Sequence, residues 1–404
     1  MAVESLVERI MSRQCGAQCR AGDYVVARVD RVYITDASAP SVLDRMEQLG
    51  GDRPAHPDRI ALVMDHYVPA PSPGVAEVHR RMRDFARRTG CHLSAEGGGI
   101  CHQVLGEQGF IRPGELVVGA DSHTVTYGAY GTLALGVGST DAAVAAVTGR
   151  LWFRVPDSAR LRLRDALQAG CSGRDVALKL NGSMGPSGAD YLCVELWTGE
   201  ADIEPDHLSA VANASAEWGA KAAVSVREED AASFEGATYA AEWDVDLASV
   251  EPFIALPHSP HRTVPVREVR GRPVQLCFVG TCAGGTLGDL RGAANVLRDA
   301  KVAPDTRLLV APASRGIYAR ALREGLIDVL HAAGAVILPA GCGPCCGTAN
   351  GVPAAGETVI STACRNYRGR MGNAEAEIYL ASAETVAAAA ASGCIEDPRE
   401  VWYG

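Results

Sequence analysis

Three cysteines carry the chemistry that this sequence advertises: Cys282 in the run VGTCAGG, then Cys342 and Cys345 in GCGPCCG. Cys342-Gly-Pro-Cys345 is a C-x-x-C with a turn-forming centre, which aims both sulfurs at one point. Alone it reads as a redox dithiol, half a zinc site or two ordinary cysteines. A third cysteine at another strand end favours a metal group in a cleft, because soft thiolates select iron–sulfur clusters or zinc. A structural zinc site would want a fourth closed ligand on its own local loop. A cluster with only three protein ligands keeps one metal position open to substrate, and that makes it a catalyst.

A second set consists of acids and histidines. Asp65–His66 follows the apolar run 60–64, and Asp121-Ser122-His123 follows the run 116–118. His102 comes shortly after Gly97-Gly98-Gly99. Taken singly, a histidine is more often a hydrogen-bonded core or loop residue than a catalyst. Adjacent residues on a strand also face opposite ways, so an Asp–His neighbour pair need not interact. The joint placement matters more: three histidines and two aspartates at loop starts could carry protons to and from a leaving hydroxyl. The stretch CRNYRGR at 364–370 gathers guanidinium groups, with Arg365 and Arg370 suited to carboxylates because the arginine fork binds them in two places. Without context it reads as a solvated basic loop, and Glu217 in ASAEWGAK as a surface carboxylate.

The elements that must position these groups are strands of an open α/β sheet, whose ligands collect beyond the carboxyl ends. Residues 274–279 and 335–339 read as the strands before the two cysteine stretches. Between them the pattern goes helix, strand, helix, with Leu290, Ala293 and Leu297 on one face of the first helix. Tyr318, Leu322, Leu326 and Val329 form the face of the second. Ser139-Thr140-Asp141 is expected to cap the helix AAVAAVTG, and the alanine run at 387–391 reads as plain helix. The spacing around Gly136 and Gly138 matches no dinucleotide fingerprint in a useful context.

A chain of 404 residues is too long for one compact core. Three regions are expected, with soft boundaries: 1–153, 154–265 and 266–404. The first ends where Val155–Pro156 interrupts a helical stretch before the strand-like ARLRLR. The second contains a small-residue loop, NGSMGPSGAD, and closes in a Pro- and His-rich linker at 257–265. Thirteen cysteines form an odd count in a long chain, which argues against a secreted disulfide scaffold and fits a cytoplasmic enzyme. The opening MAVESLVERIMSRQ reads as an amphipathic helix and not as a signal peptide. No apolar run approaches membrane-spanning length, and the net charge of −10 argues against a broad nucleic-acid footprint.

These motifs, in this order, resemble the aconitase superfamily, and within it the large subunits of isopropylmalate isomerase and prokaryotic homoaconitase. The likeness runs through MDHYVPAPSP, GGGICHQVLGEQGFIRPGELVVGADSHTVTYGAYG, GVGSTDAA, VGTCAGG, GCGPCCG, RNYRGRMGNAEAEIYLAS and IEDPRE. The resemblance implies an α/β fold of three α/β/α domains, with mainly parallel sheets, around one [4Fe-4S] cluster per chain. Cys282, Cys342 and Cys345 would hold the cluster, and its open iron would act on a hydroxy di- or tricarboxylic acid. Asp65 with His66 would handle the leaving hydroxyl, while His102, Asp121, Ser122 and His123 would order water at that iron. Glu217 would lie near the open iron, and Arg365 and Arg370 would bind substrate carboxylates.

The implied reaction is dehydration to an unsaturated acid and rehydration on the neighbouring carbon. The expected substrate is the 2-/3-isopropylmalate pair of leucine biosynthesis or an analogue: homocitrate, citrate or a specialised malate derivative. The family's active site also needs a swivel domain carrying a serine base, so a separate small subunit is the expected partner. Three positions depart from the pattern. Ala283-Gly284-Gly285 replace Thr-Asn-Ser after the first ligand, Cys364 replaces Asn before Arg365, and Thr35 replaces a His or Gln before Asp36. A non-catalytic electron carrier or sensor, its cluster closed by Cys346 or Cys364, is the competing class. Such a protein has no use for the acid–base residues and arginines.

Overall fold

The computed structural model describes residues 3–51 and 54–402. Three sheets, each rich in parallel strands, organise the chain. The first has five parallel strands in the spatial order His92–Ser94, Ile60–Val63, Arg31–Thr35, Leu116–Gly119, Leu133–Gly136. The chain winds outward from Arg31–Thr35 in one direction and from Leu116–Gly119 in the other. The strand order therefore reverses between those two, and the crevice beyond such a reversal is where α/β sheets bind ligands. Ile60 and Leu62 pack into one core and Ala61 and Val63 into another, as expected of a parallel sheet covered on both faces.

The third sheet repeats the arrangement. Its five parallel strands run Glu377–Leu380, Thr358–Ser361, Leu276–Val279, Arg307–Val310, Val336–Ile337. Here the order reverses between Thr358–Ser361 and Leu276–Val279. A hairpin of Phe253–Ala255 and Thr263–Pro265 extends the sheet antiparallel beside Glu377–Leu380. The end of the expected linker at 257–265 is therefore a strand, Thr263–Pro265, of this hairpin. The second sheet has four parallel strands, Ala222–Val226, Cys193–Asp202, Ser158–Ala166 and Ala241–Asp246 in spatial order. One continuous core joins the first and third sheets, from Tyr33 and Val117 to Phe278 and Val310. The two reversal points are thereby locked to each other.

Several local expectations change. Arg150–Arg154 is a strand paired antiparallel with Tyr24–Arg28, so the helix before it ends at Thr148. That helix starts at Ser139 with Gly138 as its N-cap and no side-chain cap, so Ser139-Thr140-Asp141 form its first turn instead. NGSM closes the helix Gly173–Met184, and the small-residue loop begins only at Gly185. The stripe from Tyr318 to Val329 is broken: Gly325, in the left-handed region at φ 73°, separates Arg315–Arg323 from Leu326–Ala333. Leu326 is buried as expected and Tyr318 and Val329 pack partly buried against the core, but Leu322 is exposed, and Ile317, Ala321 and Leu330 are buried as well. The helix Leu287–Leu297 buries Leu290, Ala293 and Leu297 and starts in a capping box of Thr286 and Asp289. The alanine run lies in the helix Ala383–Ser392. The opening helix, Leu6–Cys15, has its own capping box of Ser5 and Glu8. No helix among the described residues is long and apolar enough to cross a membrane.

Candidate active site and metal centre

The strand reversals place the site residues. Asp65–His66 and Asp121–His123 leave the first sheet at the carboxyl ends of Ile60–Val63 and Leu116–Gly119. Cys282 and Cys364 leave the third sheet just past Leu276–Val279 and Thr358–Ser361, on either side of its reversal. Cys342 and Cys345 follow the edge strand Val336–Ile337. All of these except Asp65, which is buried behind His66, line one cleft of about 300 Å³ together with Tyr67, Cys346, Arg365 and Arg370. Residues separated widely in sequence thus share one cavity of the size small molecules use.

The turn that delivers Cys282 is strained. Thr281, a β-branched residue, has φ 73°, a conformation that costs on the order of 1–3 kcal/mol. Its hydroxyl accepts the Ala283 N–H at 3.1 Å and donates to the Thr362 carbonyl at 3.4 Å, which holds the turn in place. A Cβ on Gly284 would lie 2.2 Å from the Thr362 Cβ, and one on Gly285 would lie 3.0 Å from two carbonyl oxygens. Thr362 therefore fills the space that a side chain at 284 would use. Its hydroxyl donates to the Gly280 carbonyl at 2.7 Å and accepts the Gly280 N–H at 2.9 Å.

The acid–base wall is densely hydrogen-bonded. Asp65 is fully buried and accepts from His66 Nδ1 at 2.7 Å and from the Cys101 N–H at 2.8 Å. Neighbouring residues in sequence do pair here, because the strand has ended and the chain turns. Burial works against a charged His66, but Cys342, Asp65 and Asp121 outweigh it and hold the imidazolium well above its usual range. His102 Nε2 lies 3.2 Å from Asp121 Oδ1, which also accepts the His123 N–H at 2.7 Å. Burial opposes the Asp121 carboxylate, yet His102 and His66 keep it well below its usual range.

Glu217 is buried at 5% exposure, where the sequence reading had allowed a surface carboxylate. It sits in the turn Ser215–Trp218, with Oε1 3.2 Å from His123 Nε2 and 2.7 Å from Arg365 Nε. Burial raises its pKa, but His123 and Arg365 more than reverse that. His123 is depressed by burial and lifted by Cys364 and Glu217, with a net rise to about 9. Arg365 also donates to Ser122 Oγ at 3.0 Å.

The thiol wall is less settled. Ligand atoms of His123, Cys282 and Cys364 lie within 4.8 Å of one another, as do those of Asp65, His66 and Cys342. Arg370 Nη2 lies 3.5 Å from the sulfurs of both Cys345 and Cys346. A hydrogen bond from Cys345, followed by Arg370 and His66, holds Cys346 down to about 6 despite its burial. Buried Arg370 Nε and Asn213 Oδ1 have no protein partner among the described residues. Clustered thiols beside under-satisfied donors and acceptors fit a sulfur-rich metal group, and cysteine is its ordinary ligand.

Two contributors escaped sequence reasoning. Asn213, fully buried on the helix Pro205–Ala214, donates to the Cys282 sulfur at 3.2 Å and to Thr126 at 2.9 Å. Its only signal was an amide on an otherwise apolar helix face. Arg174 is 2% exposed and donates through Nη2 to the Ala363 carbonyl, beside Cys364. It reads in sequence as an ordinary first-turn residue.

Comparison with known proteins gives a consistent picture. Residues 8–234 and 267–393 match the aconitase family (aconitate hydratase). The 3-isopropylmalate dehydratase large subunit 1 of Methanopyrus kandleri is 42% identical, over 98% of this chain and 99% of that one. The homoaconitase large subunit of Thermus thermophilus is 40% identical, over 98% of each. The crystal structure of Thermococcus kodakaraensis aconitase X superposes with a TM-score of 0.57 over 92% of each chain. At 10% identity it supports the fold alone.

Proposed function

The chain belongs to the aconitase family and is a hydro-lyase of it; from that premise we propose that it is the large, cluster-bearing subunit of a two-subunit enzyme. It dehydrates and rehydrates a hydroxy di- or tricarboxylic acid, with the isopropylmalate pair as the first candidate and homocitrate next. The observation that carries this reading is the single cleft in which Cys282, Cys342 and Cys345 face three imidazole–carboxylate pairs and two arginines.

Cys282, Cys342 and Cys345 would hold a [4Fe-4S] cluster, which would supply Lewis-acid chemistry at the substrate hydroxyl. The chain's own residues do the rest. His66, held as an imidazolium by Asp65 and aimed at the cleft, hands its Nε2 proton to the departing hydroxyl and takes one back on rehydration. The His102–Asp121 and His123–Glu217 pairs hold water against the same face. Arg365 and Arg370 take the substrate carboxylates, and Arg365 shares its guanidinium with Glu217 to do so. The base that removes the carbon-bound proton comes from the small subunit, a partner inferred because the relatives are named as large subunits.

One screen tests the proposal. The chain is co-purified anaerobically with its small subunit and offered C4–C7 hydroxy di- and tricarboxylates. The expected result is iron with acid-labile sulfide, turnover of one acid far above the rest, and none by the chain alone. Stoichiometric zinc without sulfide, or an iron–sulfur protein that turns over no hydroxy acid, overturns it. Robust turnover by the isolated chain overturns the two-subunit part.

A further inference from the structure

One buried histidine has no part in the chemistry above. His79 lies on the helix Pro73–Thr89, is 0% exposed, and does not line the cleft. Its Nδ1 is 2.7 Å from Glu96 Oε1 and its Nε2 is 3.0 Å from Asp36 Oδ2. An imidazole that offers both nitrogens to carboxylate oxygens must carry a proton on each, or lone pair faces lone pair. The ring is therefore a cation held in the core.

Its partner Asp36 stands at the carboxyl end of Arg31–Thr35 and is 1% exposed. Asp36 Oδ1 accepts the main-chain N–H of His66 at 3.0 Å, and Oδ2 accepts that of Tyr67 at 3.0 Å. One carboxylate thus pins the turn that carries His66, and only its ionised form presents both oxygens as acceptors. The chain of alternating charge ends at the surface, where Glu96 is 41% exposed and Arg83 lies 3.4 Å from its Oε2.

We propose that His79 is a positioning residue for the reaction: a buried imidazolium that keeps Asp36 ionised, so that Asp36 fixes the backbone from which His66 reaches the substrate. The inference rests on the reading that His66 serves the departing hydroxyl. Glu96, at the solvent end, completes the charge pattern without bearing on the turn.

The test uses the assembled enzyme and the best substrate from the screen, with variants His79→Gln, Asp36→Asn, Glu96→Gln and His66→Gln. Misplacing a catalytic group from a distance can cost about a hundredfold, so His79→Gln and Asp36→Asn should each lower kcat by about ten- to a hundredfold. KM, iron and sulfide should stay near the parent values. Glu96→Gln should leave kcat within about threefold, since an amide oxygen still accepts from the ring. In the unsubstituted chain labelled with 15N-histidine, nuclear magnetic resonance should show, besides His66 and His123, a further imidazole protonated on both nitrogens at neutral pH, whose signal is missing from His79→Gln. Where His79→Gln fails to fold, the signal is assigned in the parent through the contacts of its two ring N–H groups with Glu96 and Asp36. A bare ring nitrogen on His79 overturns the inference. So does unchanged kcat in His79→Gln, or a fall in KM-corrected activity that only tracks cluster loss. A fully active His66→Gln would instead remove the acid–base reading on which the inference stands.

Discussion

On the first-sheet side of the cleft, Asp65 divides its two oxygens between His66 and the Cys101 N–H, and Asp121 serves both His102 and the backbone of His123. On the third-sheet side, the thiols of Cys282 and Cys364 crowd His123, while Arg370 Nε and Asn213 Oδ1 find no protein partner among the described residues. Both walls are built in the same way, from loops at a strand-order reversal. They differ in who completes them. The acid–base wall draws most of its hydrogen bonds from the polypeptide, with His102 Nδ1 and His123 Nε2 the ring atoms left without a hydrogen-bond partner among the described residues, whereas the thiol wall gathers its sulfurs in the arrangement that ligation to a metal group would use.

That contrast can be broken most forcefully at the ligands. Cys282→Ser, Cys342→Ser and Cys345→Ser should each abolish the broad brown absorbance, the acid-labile sulfide and all turnover. Retention of a full iron complement in any one of them would show that the thiol wall is not the ligand set. Next in size are Asp65→Asn and His66→Gln, which should reduce kcat by about 10²–10⁴-fold, the range for losing a general acid. Iron and sulfide should remain at parent levels, because the three thiols that would hold them come from the third sheet and not from these two side chains. Cluster loss in these variants would mean the two walls are coupled and the contrast is false.

A smaller effect is expected at Cys364, which stands beside both walls. Mild oxidation of the parent should release one labile iron and leave a three-iron form with its paramagnetic resonance signal. Cys364→Asn should keep that behaviour and shift relative rates on different hydroxy acids by about tenfold or less. A three-iron signal seen only in the variant would identify Cys364 as a fourth ligand.

The smallest expected effect lies away from the cleft. Burial raises Glu384 from 4.5 to about 8, with Asp175 adding to the rise. The folded chain therefore binds a proton there that the unfolded chain has already released. Stability should fall as pH rises from about 4.5 to about 8, by at most about 1.4 kcal/mol per pH unit from this group. Glu384→Gln should then raise the melting temperature at pH 8.5 and change it little at pH 5. Equal shifts at both values would show that the carboxyl is not the source.

What could be read from the sequence was the part with local punctuation. The cysteines, Asp65–His66 and Asp121–His123 all follow apolar runs that are strands, and strand ends converge by the rules of open sheets. The misreadings arose where tertiary packing decides. Glu217 enters the site reading only through the family resemblance, because its partners, His123 and Arg365, are far away in sequence and leave it looking like a surface acid. Residues 150–154 become a strand because Tyr24–Arg28 offers them a ladder, which no local pattern announces. Leu322 fits a helical stripe only if the helix is continuous; Gly325 breaks it, so Leu326 is buried on the next helix while Leu322 is left in solvent. Asn213, Arg174 and His79 act through buried polar contacts whose partners only the fold supplies.

The packing of Thr362 against Gly284 also constrains how this chain can change. With the two Cβ positions 2.2 Å apart, any side chain at 284 requires one of the two turns to give way. Thr362 is tied through its hydroxyl to both the N–H and the carbonyl of Gly280. The turn that carries Cys282 and the turn that leads to Cys364 are thus geared to each other, and a change of residue size at 284 is expected to be transmitted to 362.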